Sequence, residues 1–303
     1  RVASNSSADL AIQQLPMVAE AMSYAKPDLI HVYDSSVALA GLTLKQQLQV
    51  PLVATIQLSI QSISKYYKDF SDLMPLIAAE IHLLQQADAV IHVSPEYKQL
   101  YGFHNPNSKI IPNSIDLGTW KPTETFALPG RPDAIKVGYI GRYAEMKNVP
   151  AILDAEQPEN VDLYFVGDRA GGNGNYFDLM QHSVEHHPNR YYLGKLLGQA
   201  KINWFHAMDA ILVPSTHEPF GIVCLEALAS GCKLLSSFAS GMRYYLNDKV
   251  ALNCGVTAES ITKTMASLSQ WAPDKAAVDN LLAIFNPQAV RQLTYEVYQE
   301  VLS

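Results

Sequence analysis

Short apolar runs alternate with amphipathic stretches along most of this chain. Residues 9–25 carry apolar positions at helical spacing, and the Lys26-Pro27-Asp28 turn then leads into Leu29-Ile30-His31-Val32-Tyr33, which has the length and composition of a buried strand. A helix over 36–48, a strand at 52–57 after Pro51, a helix over 70–87 and a strand at 88–93 continue the series. Apolar strands separated by helices predict a parallel, doubly wound sheet with both faces covered. From Ile110 to Pro132 the chain carries four prolines and few long apolar runs, which predicts a crossing between domains. A second alternating series follows, with strands expected at 135–140, 161–166, 190–193, 209–213 and 232–236. The expected organisation is a first domain over 1–118, a linker over 119–132, a second domain over 133–285 and a C-terminal helix over 286–303 that opens at Pro287. Two such sheets leave a cleft, and ligands gather at the carboxyl ends of parallel strands.

Composition narrows the function. The chain has 303 residues, 48% of them hydrophobic and 17% charged, enough to bury two cores. Its formal charge of −7 offers no general attraction to nucleic acid or to an anionic membrane, so any phosphate must be held by a local arrangement. Cys224, Cys232 and Cys254 lie in apolar stretches without metal-ligand spacing, and an odd count does not suggest a disulfide framework, so a reducing cytoplasm is the expected setting. The opening Arg1-Val2-Ala3-Ser4-Asn5 has no apolar core of a signal peptide, and no later run approaches the roughly 20 apolar residues of a membrane span. A chain that opens on Arg1 reads as a fragment or a trimmed chain.

The chemistry concentrates in two segments. In Val213-Pro214-Ser215-Thr216-His217-Glu218-Pro219-Phe220-Gly221-Ile222-Val223-Cys224-Leu225-Glu226-Ala227, a strand ends, a polar loop carries Glu218 and a helix starts near Gly221. The first amides of that helix, from Phe220 to Val223, have no intrahelical acceptor and favour an anion, and Gly221 lets a ligand approach the backbone. Glu218 and Glu226 can both act as acceptors for a hydroxyl-rich ligand. The simpler alternative makes Glu218 a helix cap and Glu226 a solvated residue, although the apolar neighbours of Glu226 count against the latter. In the second segment, Val137 to Asn148, a strand ends at Gly141 and the following loop carries Arg142 and Lys147. These are ordinary exposed basic residues of a βα loop, or a fork and a point charge for phosphate oxygens.

Gly141-Arg142-x4-Lys147-Asn148, Phe165-Val166-Gly167-Asp168, Pro214-Ser215-x2-Glu218-Pro219-Phe220-Gly221 and Glu226-Ala227-x2-Ser230-Gly231 stand in the order found in glycosyltransferase family 4. Pro27-Asp28-Leu29-Ile30-His31, Val50 to Ile56 and Ile111 to Asp116 extend the likeness over nearly the whole chain. The sequence resembles a retaining glycosyltransferase of that family. The resemblance implies the GT-B fold, two Rossmann-like domains facing a cleft, with the closing helix returning to the first. It implies that Arg142 and Lys147 hold and stabilise the diphosphate of a nucleotide-sugar donor, and that Glu218, Gly141 and the backbone from Phe220 through Gly221, Ile222 and Val223 meet the transferred sugar and its phosphate. Glu226 would accept from the ribose hydroxyls and the backbone at Lys195 and Leu196 would border the base. Gln57 and Asn113 fall on the acceptor side. No cofactor and no metal are expected, and the acceptor is a sugar, a lipid-linked sugar or a small molecule.

Two departures stand out. The family often has a histidine where this chain has Gln57, which can hydrogen-bond a sugar but cannot carry a proton. The family also has a first strand and glycine-rich loop well before the Pro27-Asp28 motif, and only 26 residues precede Pro27, so the first domain is expected to lack that strand. Two rival functions remain at this stage: a nucleotide-sugar epimerase of the same fold and a degenerate binding module. Gly171-Gly172-Asn173-Gly174 fits neither a P-loop nor a dinucleotide fingerprint and reads as a loop. His186-His187 near Glu185 suggests a metal site, but adjacent residues on a helix point apart and Pro188 ends the segment; Lys65-Tyr66-Tyr67-Lys68 reads as a solvated face ahead of a contact with an acceptor or membrane surface, and His31 as a satisfied core histidine.

Overall fold

The computed structural model describes residues 16, 18, 20–24, 26–66, 71–169 and 175–303. The chain divides into two compact units, Arg1–Asn113 with Gln288–Ser303, and Ser114–Pro287. Each is built on a wholly parallel sheet, the arrangement that buries both faces and accounts for strands written as continuous apolar runs.

In the first unit β1 (Ile30–Tyr33), β2 (Leu52–Ile56), β3 (Ala89–His92) and β4 (Ser108–Ile110) pair in chain order. The register sets Ile30 beside Leu52, Val53 beside Ala89 and Val90 beside Ser108. The crossovers run through α1 (Ala38–Leu48), α2 (Ile60–Ser64), α3 (Met74–Gln86) and α4 (Pro95–Tyr101). Helix α4 starts where its sequence says it should, with Ser94 accepting from the Tyr97 amide and Pro95 at the first position. The expected helix over 9–25 lies largely outside the described residues, as do Tyr67, Lys68 and the 171–174 loop.

The second unit holds β5 (Ile135–Ile140), α5 (Val149–Asp154), β6 (Val161–Val166), α6 (Tyr176–His186), β7 (Arg190–Tyr192), α7 (Gly198–His206), β8 (Ala210–Val213), α8 (Ile222–Ala229), β9 (Lys233–Ser236), β10 (Ala251–Asn253), α9 (Ala258–Ala266) and α10 (Lys275–Ile284). Strand order among the described residues is β10-β9-β8-β5-β6-β7. That is the dinucleotide-binding order, in which the chain lays strands outward one way from β5 and then returns to start the other side at β8. One face of the sheet is sealed by a core that includes Val137, Ile152, Val161, Leu163, Phe165, Leu212, Leu235 and Ile261.

The closing helix α11 (Pro287–Leu302) belongs to the first unit, where Val297 packs with Val53, Ala89, Ile91 and Ile111. The stretch expected as a linker, 119–132, is part of the second unit. Trp120 Nε1 donates to Ser230 Oγ at 2.8 Å, Tyr164 donates to the Pro129 carbonyl at 2.7 Å, and Arg131 forks onto the buried Asp162 carboxylate. Its prolines remove amide donors but leave the side chains free to anchor it.

Candidate functional site

The strand order puts a topological switch point between β5 and β8, where neighbouring crossovers leave to opposite faces and the carboxyl ends stand open. The two loops singled out by sequence leave from these two strands. The loop after β5 carries Arg142 and Lys147, and the loop after β8 carries Glu218 and Gly221. Two hydrogen bonds join them: the Thr216 backbone amide donates to the Met146 carbonyl at 2.8 Å, and the Asn148 side-chain Nδ2 donates to the Pro214 carbonyl at 3.1 Å.

Lys147 and Glu218 form an ion pair across this junction, both side chains largely buried, and Ser215 Oγ adds a longer hydrogen bond to the same carboxylate oxygen at 3.3 Å. Glu218 is therefore not a helix cap. The residue before α8 is Gly221 in the left-handed conformation, φ 101°, and no side chain caps the first turn. A Cβ on Gly221 would sit 3.2 Å from the Ser240 side chain, so the glycine serves both the φ and the fit. The loop is held from behind: Gly241 N donates to the Glu218 carbonyl and Met242 N to that of Phe220, whose ring is buried against Phe285. Ile222 and Val223, half-buried, form the exposed start of the helix.

Glu226 is only 6% exposed, which overturns the solvated alternative. Its Oε1 accepts from Lys201 Nζ at 2.6 Å, and its Oε2 is buried without a partner. Burial pushes this carboxyl above its usual range, and the charge and hydrogen bond of Lys201 pull against that rise. Lys201 was not legible as a site residue, because 25 residues separate it from Glu226 and only the fold joins them. Each acid of the Glu-x7-Glu segment thus meets a lysine from a different element. Arg142 is exposed, and its carbonyl accepts from the buried Tyr139 hydroxyl at 3.0 Å. Burial raises the Tyr139 pKa, Glu218 adds to the rise and Arg142 opposes it, so one phenol senses both charged residues.

The ends of β6 and β7 close against the same loops. Gly141 N donates to the Val166 carbonyl, Gly167 N to that of Gly194, and Tyr192 Oη to that of Gly167. Gly167 has φ 142° and a Cβ there would meet the Gly141 oxygen at 1.9 Å, so no other residue fits. Lys195 is exposed and paired with Asp168 at 3.2 Å, while Leu196 is half-buried beside it. The hydrogen bond from Lys195 lowers the Asp168 pKa. The sequence motifs thus converge on one edge of one sheet, with Glu226 set one helix turn deeper than Gly221 and Val223.

A model of the glycosyl transferases group 1 family matches residues 121–275, and one of glycosyltransferase family 4 matches residues 2–119. The chain belongs to the glycosyl transferases group 1 family. It is similar to a glycogen synthase of Mycobacterium tuberculosis, 26% identical over 289 residues that make up 90% of this chain and 69% of that protein. In fold it is similar to sucrose-phosphate synthase from Thermosynechococcus elongatus, TM-score 0.79 at 21% identity, covering 97% of this chain and 79% of that one. It is also similar to Anabaena HepE in complex with UDP-glucose, TM-score 0.76 at 19% identity, covering 95% and 83%. The two parallel-sheet units are the Rossmann-like domains of the GT-B fold.

In this glycosyltransferase the first unit presents its own strand ends. Gln57 and Asn113 pair side chain to side chain, each amide donating to the other at 2.9 and 3.0 Å. The loop that carries Gln57 is braced by two acids. Asp34, itself at φ 65°, accepts from the Gln57 and Leu58 amides, and the wholly buried Glu80 accepts from Ser35, Ser59, Gln61 and the Ile60 amide. His31 is satisfied as expected, between Tyr298 Oη at 2.6 Å and Thr55 Oγ1 at 2.7 Å. Glu185, His186 and His187 are all exposed. His186 stacks on His182 one turn earlier, and ligand atoms of His182, Glu185 and His186 lie within 4.8 Å of one another on an exposed helix face. Among the described residues no helix is long and apolar enough to cross a membrane.

Proposed function

We propose that this chain is a retaining, metal-independent hexosyltransferase that draws on a nucleotide diphosphate sugar. The observation that carries the reading is the Lys147–Glu218 pair at the switch point, directly before the uncapped, glycine-led start of α8. A diphosphate arriving there finds an ammonium, the Arg142 guanidinium and free helix amides in place of a divalent cation. As its oxygens take Lys147, Glu218 is released to accept from a hydroxyl of the transferred sugar. Glu226 accepts from the ribose hydroxyls, and the backbone at Lys195 and Leu196 borders the base. In the transfer, the bond from the sugar C1 to the β-phosphate oxygen breaks. The acceptor oxygen bonds C1 on the same face, and its proton passes to the departing phosphate. Lys147, Arg142 and the α8 amides stabilise the charge that collects on that leaving group. The naming of UDP-glucose in a neighbour of this fold, and a glycogen synthase among the relatives, support a nucleotide-sugar donor.

A test is to supply UDP-, GDP- and ADP-sugars with a panel of sugar acceptors in excess chelator and to follow the anomeric proton by NMR. The proposal expects an acceptor-dependent product with the donor's anomeric configuration. An inverted product, turnover that returns only with manganese, or an altered sugar without acceptor would each overturn it, the last in favour of an epimerase. A second reading, a nucleotide-sugar-binding module without turnover, is favoured by the closed Gln57–Asn113 amide pair, and binding without transfer to any acceptor would support it.

A further inference from the structure

Lys201 belongs to none of the family-like motifs, yet among the described residues its ammonium is the one side-chain partner of the most deeply set acid of the site. It comes from the first turns of α7, reaches Glu226 Oε1 at 2.6 Å, and lies 5.7 Å from the centre of the Trp120 ring and 5.8 Å from that of Phe205. Aromatic faces on two sides fix the direction from which the charge approaches. As a device for stability this pair is poor. Burying an ammonium and a carboxylate costs desolvation that apolar side chains of the same size would avoid, and here the second carboxylate oxygen has no partner among the described residues. A lysine that takes one oxygen and leaves the other open suits an acid that must accept one more donor.

We propose that Lys201 is a positioning residue for the nucleotide: by holding Glu226 on one oxygen it keeps that side chain turned so that the other oxygen accepts from a ribose hydroxyl, and so sets the preference for ribose over deoxyribose. This rests on the donor-site reading above. The electrostatics agree with the geometry. The elements packed on α8 bring other charges near, but these are occupied: Lys275 pairs with Asp279 on α10, and Lys233 of β9 donates to the Leu268 carbonyl. His206 stands further along α7, and Cys224 on α8 itself is a thiol pushed up to about 12 by burial. Lys201 is the charge that acts on Glu226. With an apolar residue in its place, burial acts unopposed and pushes the carboxyl further above its usual range. A protonated acid turns one oxygen from acceptor into donor, and its remaining neutral acceptor binds a hydroxyl less strongly than a carboxylate does.

The experiment compares wild type, Lys201→Met and Lys201→Gln in calorimetric titrations with UDP, GDP and ADP, and with the 2′-deoxy form of whichever binds. Wild type is expected to favour the ribose form by about tenfold or more, the value of a hydrogen bond to a charged group. In both variants that preference falls to near one, and it recovers as pH is raised. Glu226→Gln copies the variants but shows no recovery with pH. Lys201→Arg, which keeps the charge, retains part of the preference. A ribose preference unchanged in a folded Lys201→Met or Lys201→Gln protein, or lost without pH recovery, overturns the inference and leaves the donor site standing. A wild type that binds nucleotide with no ribose preference removes Glu226 from the ribose and overturns it as well. Failure of wild type to bind any of the three nucleotides overturns the donor-site reading itself.

Discussion

Lys147 and Glu218 stand 71 positions apart and meet because β5 and β8 are neighbours in the sheet. The residue types were legible in the sequence: a glycine-ended strand followed by basic residues, and an acid ahead of a glycine-led helix, are local patterns with a local physical reason. Their partners were not. Nothing within reach of Glu226 along the chain announces Lys201, and Tyr139, which lies under both Arg142 and Glu218, reads as one more core aromatic. Substituting Lys147→Met should lower turnover by roughly 10²- to 10³-fold, the usual cost of one donor to a developing charge, while the fold persists by circular dichroism. The glycines separate in the same way. Gly167→Ala forces a Cβ into the Gly141 carbonyl at an unfavourable φ and should cost about 3 kcal/mol or more in chemical denaturation, or prevent folding. Gly194→Ala, at φ 77° with open space around it, should cost only about 1 to 2 kcal/mol.

At the scale of elements, the strands buried on both faces were the most legible. The expected spans 135–140 and 161–166 coincide with β5 and β6, and those of β1, β2, β3, β7, β8 and β9 differ by a residue or so at one or both ends. The short edge strands β4 and β10, three residues each, were not foreseen, because an edge strand that pairs on one side needs no apolar run. The single-turn α2 and the seven-residue α4 were hidden in stretches too short for a helical period to repeat. The 119–132 segment was misread as a linker because proline content reports on backbone freedom, whereas its attachment depends on Trp120, Pro129 and Arg131 finding partners elsewhere. Helix α11 is fixed to the first unit by packing, by the Tyr298–His31 hydrogen bond and by the exposed Lys109–Glu300 ion pair. Val297→Ala should cost about 2 kcal/mol, from two methyl groups and the space they leave, and Tyr298→Phe about 1 kcal/mol, from the lost bond to His31. Urea titrations of the two variants check both values.

For the molecule as a whole, loss of stability in acid has an identifiable source in the first unit. Burial depresses His31 and His92 to about 4, and both ring nitrogens of His92 are buried without a partner. The unfolded chain therefore binds protons that the folded one refuses between the ordinary histidine value of about 6.5 and about 4. The stability these residues allow is present above that window and is lost as pH falls through it. Each contributes a slope of up to about 1.4 kcal/mol per pH unit, and His92→Leu should flatten the acid limb of the stability curve by about that much. An acid limb unchanged in His92→Leu would mean that the ring is charged in the fold.

The net charge of −7 gives the whole molecule no reason to gather phosphate, so the account stands on the few charges at one sheet edge. The most direct measurement is a calorimetric titration of UDP-, GDP- and ADP-sugars into wild type, Lys147→Met and Glu226→Ala in excess chelator. The account predicts that one base binds wild type at one site per chain and that each substitution weakens it by about tenfold or more. Binding of equal strength in all three proteins, or none to wild type without a divalent cation, would contradict it.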